Sequence, residues 1–362
     1  MTSPVEVIFL GTGTSSSVPH IDCITAHAIP GSSDRPPCRT CLSTLDGSAE
    51  GKKNIRRNTS VVVRAPGKQG TVTVLIDCGK DFQAAALEWF PQFGLRQIDA
   101  VLLTHAHSDA INGLDDLRAW TLGSRIQPHI DIYVSEETYR NIKRTFPYLV
   151  SKEFASGGGD IPEFVWHVCI DNAKPFEIND TSIMVTPFLV HHGRLFSQPA
   201  PAAPGLEVDK TPKKEIVQPY MCFAFRIQED LVYISDCGAI PDEAWSALFP
   251  ASGRQLPVCI LDCLELRTHP SHFGLEQSIE AARKIDAKRT YFLGFSHKLA
   301  HDEYVRIGEV IGGADLPTDL TENEANGMEL IGKGNPIWVR PAHDGLRIEI
   351  SPDQRVTDRT YG

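Results

Sequence analysis

Apolar residues come in short bursts along this chain, and most bursts end on a glycine, a proline, a histidine or an aspartate. The stretches at 5–11 (VEVIFLG), 59–65 (TSVVVRA), 72–79 (VTVLIDCG) and 99–105 (DAVLLTH) read as strands, the last three rich in β-branched residues. Residues 80–90 (KDFQAAALEWF) and 276–285 (EQSIEAARKI) change to helical spacing. Strand character returns at 182–190, 221–227, 231–236, 257–263 and 290–296. Four or five strands before residue 105 and as many after it predict two similar halves facing each other, although no sequence repeat links them. Proline, glycine, serine and charge mark loops at 24–37, 151–162 and 197–218; the third is long enough for either a lid or a disordered insertion. Candidate ligands flank each loop, so the pattern predicts a single domain over residues 1–362 with inserted loops at 24–37 and 197–218.

The strand ends carry the chemistry. LLTHAHSDAINGL (102–114) places His105, His107 and Asp109 at i, i+2 and i+4 after an apolar run, so three side chains can point the same way. Imidazole and carboxylate together suit borderline ions such as Zn²⁺, Mn²⁺ and Fe²⁺. The same setting recurs at His191 and His192 (FLVHHG), at Asp236 (VYISDCG) and at His297 (FLGFSH). The two adjacent histidines face opposite sides of a continuing strand, so one of them is a ligand. His269 and His272 (THPSHFG) follow another strand and are candidate proton donors. Asp77 and Asp262 are acids placed to fix imidazole tautomers.

Composition narrows the field. The 362 residues are 41% hydrophobic and 22% charged, with a formal net charge of −11. That balance suits a globular α/β protein and disfavours a dedicated nucleic-acid binder, which needs a basic field. The run Lys52, Lys53, Arg56, Arg57 reads either as a solvated surface or as an anchor for a small anionic substrate. No apolar run reaches membrane-span length and no leader is visible, which predicts a soluble, unexported protein of the cytoplasm, with the nucleus open. The nine cysteines read as thiols or ligands rather than disulfides. Cys38 and Cys41 form a C-x-x-C knuckle that Cys23 and a distant histidine would complete as a Cys₃His zinc site. GTGTSSS (11–17) lacks the lysine of a phosphate-binding loop and reads as a tight turn.

In order, VIFLGTGTSSSVP, LIDCG, THAHSD, VHHG, SDCG and GFSH resemble the metallo-β-lactamase superfamily from about residue 5 to 335. GLDDLR, RRNTS and HPSHFGLEQ are most similar to its PhnP-like and tRNase Z-like phosphodiesterase branch. The resemblance implies a four-layer αββα sandwich, two facing mixed sheets flanked by helices, with metals at one edge and frequent homodimers. It implies that His105, His107 and His192 hold a first ion, that Asp109 and His297 hold a second, and that Asp236 bridges them. It implies His272 as general acid, with Asp236 and Asp109 orienting the attacking water, and His301 as the fourth ligand of a structural zinc with Cys23, Cys38 and Cys41. Ala110 stands where most members have a second-site histidine. Asp116, seven residues beyond Asp109, lies roughly 10 Å along a helix and is too remote to replace it; a weaker, more open second site is expected. The function implied is a metal-dependent hydrolase, a phosphodiesterase for a small phosphate ester, cyclic ones included. A single-metal PqqB-like oxidoreductase, or a scaffold without activity, are the competing readings.

Overall fold

The computed structural model describes residues 3–29, 36–156, 160–195 and 218–362. Six strands open the chain: β1 (Val5–Gly11), β2 (Ser60–Gly67), β3 (Gly70–Ile76), β4 (Ala100–Leu102), β5 (Ile130–Val134) and β6 (Phe164–Val168). They lie side by side in that order, with β3 to β6 mutually parallel. The next seven build a second sheet: β7 (Phe176–Ile178), β8 (Ile183–Leu195), β9 (Gln218–Ile227), β10 (Leu231–Ile234), β11 (Val258–Asp262), β12 (Arg289–Leu293) and β13 (Val339–Pro341). Here β10 to β13 are parallel. The chain then returns to the first sheet, where β14 (Arg347–Ile350) pairs with β1 and β15 (Val356–Asp358) with β14.

Two-sided burial explains the unbroken apolar runs. Val7, Phe9, Val61, Val63 and Ile76 face Val185, Phe225, Tyr233, Ile260 and Tyr291 across the gap between the sheets. The opposite faces carry Ile8, Leu10, Val62 and Val101 against helix Phe82–Phe93, and Val232, Cys259, Leu261 and Phe292 against helices Leu275–Ile285 and His301–Ile311. The result is the αββα sandwich. Among the described residues, no helix is long and apolar enough to cross a membrane.

The predicted loops fare differently. Residues 21–28 are helical rather than loop, while 30–35 lie outside the described residues. The 151–162 stretch contains one short turn, and 157–159 fall outside. The 197–218 segment lies outside as well, apart from Gln218, the first residue of β9.

Candidate metal centre

Parallel strands deliver their carboxyl ends to one edge of the sandwich, and each apolar run ends there in a polar residue. Asp77 follows β3, His105 and His107 follow β4, His192 lies near the end of β8, Asp236 follows β10, and Asp262 closes β11. An irregularity in the β8–β9 register between His191 and Arg194 re-aims the chain at this point. His192 turns inward and buried, whereas the backbone of His191 pairs with Ala239. Gly193, at φ +83°, packs close to Ser271 and permits the turn.

His105 and His192 are each held through Nδ1, which leaves Nε2 to face the centre. The Thr104 hydroxyl donates to Asp77 at 2.8 Å, so its oxygen accepts from His105 Nδ1, also at 2.8 Å. That leaves His105 Nε2 unprotonated, buried and without a hydrogen-bond partner, 3.8 Å from Asp236 Oδ2. His192 Nδ1 donates to the Ser271 carbonyl at 2.9 Å, and its Nε2 lies 3.1 Å from His107 Nδ1. An orphaned buried nitrogen facing a carboxylate, beside two more converging ring nitrogens, is the donor set of a divalent cation. Burial holds His105 and His107 below the ordinary imidazole range. Burial alone would raise Asp236, yet the surrounding His192, His105 and His272 hold it lower.

His272 completes the edge. Its Nδ1 contacts Asp262 Oδ2 at 3.0 Å and lies 3.7 Å from Asp236 Oδ1. Burial works against its charge, but Asp262 and their hydrogen bond outweigh it and push the imidazole up to about 9. Asp262 Oδ2 also accepts from the backbone of Cys237 and Phe273, so this carboxylate is fixed. His269, the other proton-donor candidate, is exposed; its Nδ1 is 2.9 Å from Ser271 Oγ within the same loop. Asp109 is pushed up to about 6 by burial and the neighbouring Asp236 charge.

Two assignments need correction. His297 is not at this edge: its Nδ1 lies 3.3, 3.6 and 3.5 Å from the sulfurs of Cys23, Cys38 and Cys41. These four ligand atoms form a group within 4.8 Å of one another. His301 is therefore not the fourth partner of the cysteines. It begins helix His301–Ile311 with its side chain in the interior, where Nε2 meets the Tyr361 hydroxyl at 2.9 Å. Arg56 also departs from both readings of its basic run. It is 1% exposed, and its guanidinium donates to the carbonyls of Ser296 and Leu299, clamping the loop that carries His297.

Other contacts escaped the sequence reading. Tyr220 stacks on His107 at 4.8 Å, Cys222 Sγ lies 3.6 Å from His105 Nδ1, and His20 stacks on His297 at 3.8 Å. Tyr220 and Cys222 share a strand face at i and i+2, which was the available signal. Thr104 was legible only as the hydroxyl preceding the first ligand.

Comparison with known proteins agrees with this geometry. A family model described as a beta-lactamase superfamily domain matches residues 72–295. An octanoyltransferase of Porphyromonas gingivalis is 26% identical over 309 residues, 84% of this chain and 48% of that protein. A ribonuclease Z of Bradyrhizobium diazoefficiens is 38% identical over 84 residues, covering 23% of this chain and 26% of the relative. The chain thus spans about half the length, or less, of the curated relatives it matches. Among solved structures, a diphosphatase from the PhnP family superposes with a TM-score of 0.63 at 26% identity, over 96% of this chain and 98% of that one. The short form of human tRNase Z gives 0.52 at 16% identity, over 96% and 99%. With its αββα layers and its histidines and aspartates gathered at one sheet edge, this chain belongs to the metallo-β-lactamase superfamily, and it shares its fold with the PhnP-family diphosphatase and tRNase Z.

Proposed function

We propose that this protein is a metal-dependent hydrolase of small phosphodiesters, cyclic ones included, in which His272 delivers the proton to the leaving oxygen. The observation that carries the reading is the His272–Asp262 pair, set 3.7 Å from Asp236 at the edge where the three metal-binding histidines converge. A divalent ion held by His105, His107, His192 and Asp236 would lower the pKa of a water and neutralise charge developing on the phosphoryl group. Zinc suits these donors, with manganese or iron also accommodated. We assign a structural zinc to Cys23, Cys38, Cys41 and His297.

The protein's own groups supply the rest. Asp236 stays ionised among the imidazoles and can accept a hydrogen bond from the attacking water. Asp262 keeps a proton on His272 Nδ1, so that Nε2 is the nitrogen we assign to the leaving group. A cavity of about 650 Å³ borders the centre, lined by His105, Tyr220, Thr138 and Lys174 and by the acidic Glu136 and Glu137. Its size suits a small ester.

Turnover of two diesters tests the reading, one with a p-nitrophenolate leaving group and one with an alkoxide, such as a ribose cyclic phosphate. His272→Ala should cost about 10²–10⁴-fold on the alkoxide, the usual range for general-acid catalysis, and far less on p-nitrophenolate, which leaves unaided. Asp236→Ala should abolish both. Undiminished turnover by Asp236→Ala would defeat the hydrolase reading.

A further inference from the structure

A second catalytic ion would have to sit beside Asp109 and Asp236, and three places could supply its imidazole. None does. At position 110 the side chain is a methyl group, 2% exposed and packed with Cys78, Phe82, Ile111 and Leu114. At the end of β12, on the ligand-bearing edge, stands Gly294 with φ +80°, and a Cβ there would fall on Asp262 Oδ1. No side chain of any kind fits that position unless Asp262 gives up its place behind His272. Three residues further on, His297 already faces three thiols.

The remaining groups point to the first site. His272 falls in a ligand group with His192 and Asp236, and His105, His107 and His192 form another. Among the described residues, Asp109 joins no group of three ligand atoms within 4.8 Å. A second ion would therefore have one carboxylate of its own and a share in Asp236. Catalytic ions of this type are held by about three protein ligands, so such a site would be poorly occupied.

We propose that the catalytic centre holds one metal ion, with Asp262 occupying the space in which a second ion's imidazole would have to be placed. The inference rests on the reading of this edge as a metal centre and changes its stoichiometry. Asp109 then serves as a polar neighbour of the single ion rather than as a ligand of another.

Manganese titration of the full chain, its thiolate site loaded with zinc beforehand, separates the outcomes. Bound Mn²⁺ is counted by equilibrium dialysis and its environment read by electron paramagnetic resonance. The expected result is one Mn²⁺ per chain with an isolated six-line spectrum, unchanged in count by Asp109→Asn and weakened at least tenfold by His107→Ala. Two Mn²⁺ per chain with an exchange-coupled spectrum would overturn the single-ion proposal and leave the hydrolase reading intact. No bound Mn²⁺ at all would remove the metal-centre reading and the proposal with it. The wild-type count decides the matter even where a variant fails to fold.

Discussion

At the scale of single residues, the centre is organised by hydroxyl, carboxylate and carbonyl groups that fix which imidazole nitrogen is bare. Thr104 does this for His105, relaying Asp77 through a hydroxyl that both donates and accepts. Thr104→Val keeps the shape and removes the relay, so metal affinity should fall about 10–100-fold, the usual effect of losing a partner behind a ligand. Turnover at saturating metal should change little, and metal titration read beside kcat checks both expectations. Unchanged affinity would show that the tautomer is set elsewhere. His105, His107, His192 and Asp236 were readable from the sequence because each follows an apolar run. His297 and His301 were misplaced because they lie four residues apart on either side of a helix start, and sequence order does not show which faces inward. Asp262 was legible as an acid near the site, but its hold on His272, ten positions on, depends on the intervening loop closing back on the strand.

At the scale of elements, the apolar runs located the strands but not all their ends; 5–11 and β1 coincide, whereas 99–105 holds only the three residues of β4 and 182–190 stops five short of the end of β8. Strands β7, β13 and β15 have three residues each, too few to display an alternation, and they form because neighbouring strands offer free hydrogen-bonding edges. The loop between β12 and helix His301–Ile311 is a different case, since it is ordered from outside by Arg56. This buried cation donates to two backbone carbonyls and to Asn54 Oδ1 and, among the described residues, has no paired carboxylate, so its desolvation offsets part of its own contribution. Arg56→Met would leave both carbonyls bare at a cost of about 1–3 kcal/mol each, before that relief. The expected outcome is a lower unfolding midpoint together with faster loss of the thiolate-bound zinc to a chelator. A lower midpoint with unchanged zinc release would mean that the clamp stabilises the fold without holding His297.

At the scale of the molecule, the sequence pattern indicated two facing halves, and two facing sheets are present. It did not show that the last strands leave the second sheet to extend the first; that depends on β1 presenting an open edge to β14. Charge also acts at this scale. We propose a small diester rather than a nucleic acid as the substrate, because a net charge of −11 disfavours binding to a polyanion. Turnover of a small diester should therefore change less than about tenfold between roughly 50 and 200 mM salt, against about 10³–10⁵ for a protein making 6–10 phosphate contacts. Added tRNA should not compete. Strong inhibition by tRNA would assign the substrate to the nuclease side of the branch.

Because β1 runs parallel to β3 and β4, its first residue, Val5, lies at the opposite end of the sandwich from His105 and its partners. A second protein module joined ahead of Val5 would emerge on that far side, leaving the ligand-bearing edge open to solvent. The architecture thus tolerates modular fusion at its amino-terminal end, and an affinity tag or fluorescent reporter placed there should leave access to the metal centre unchanged.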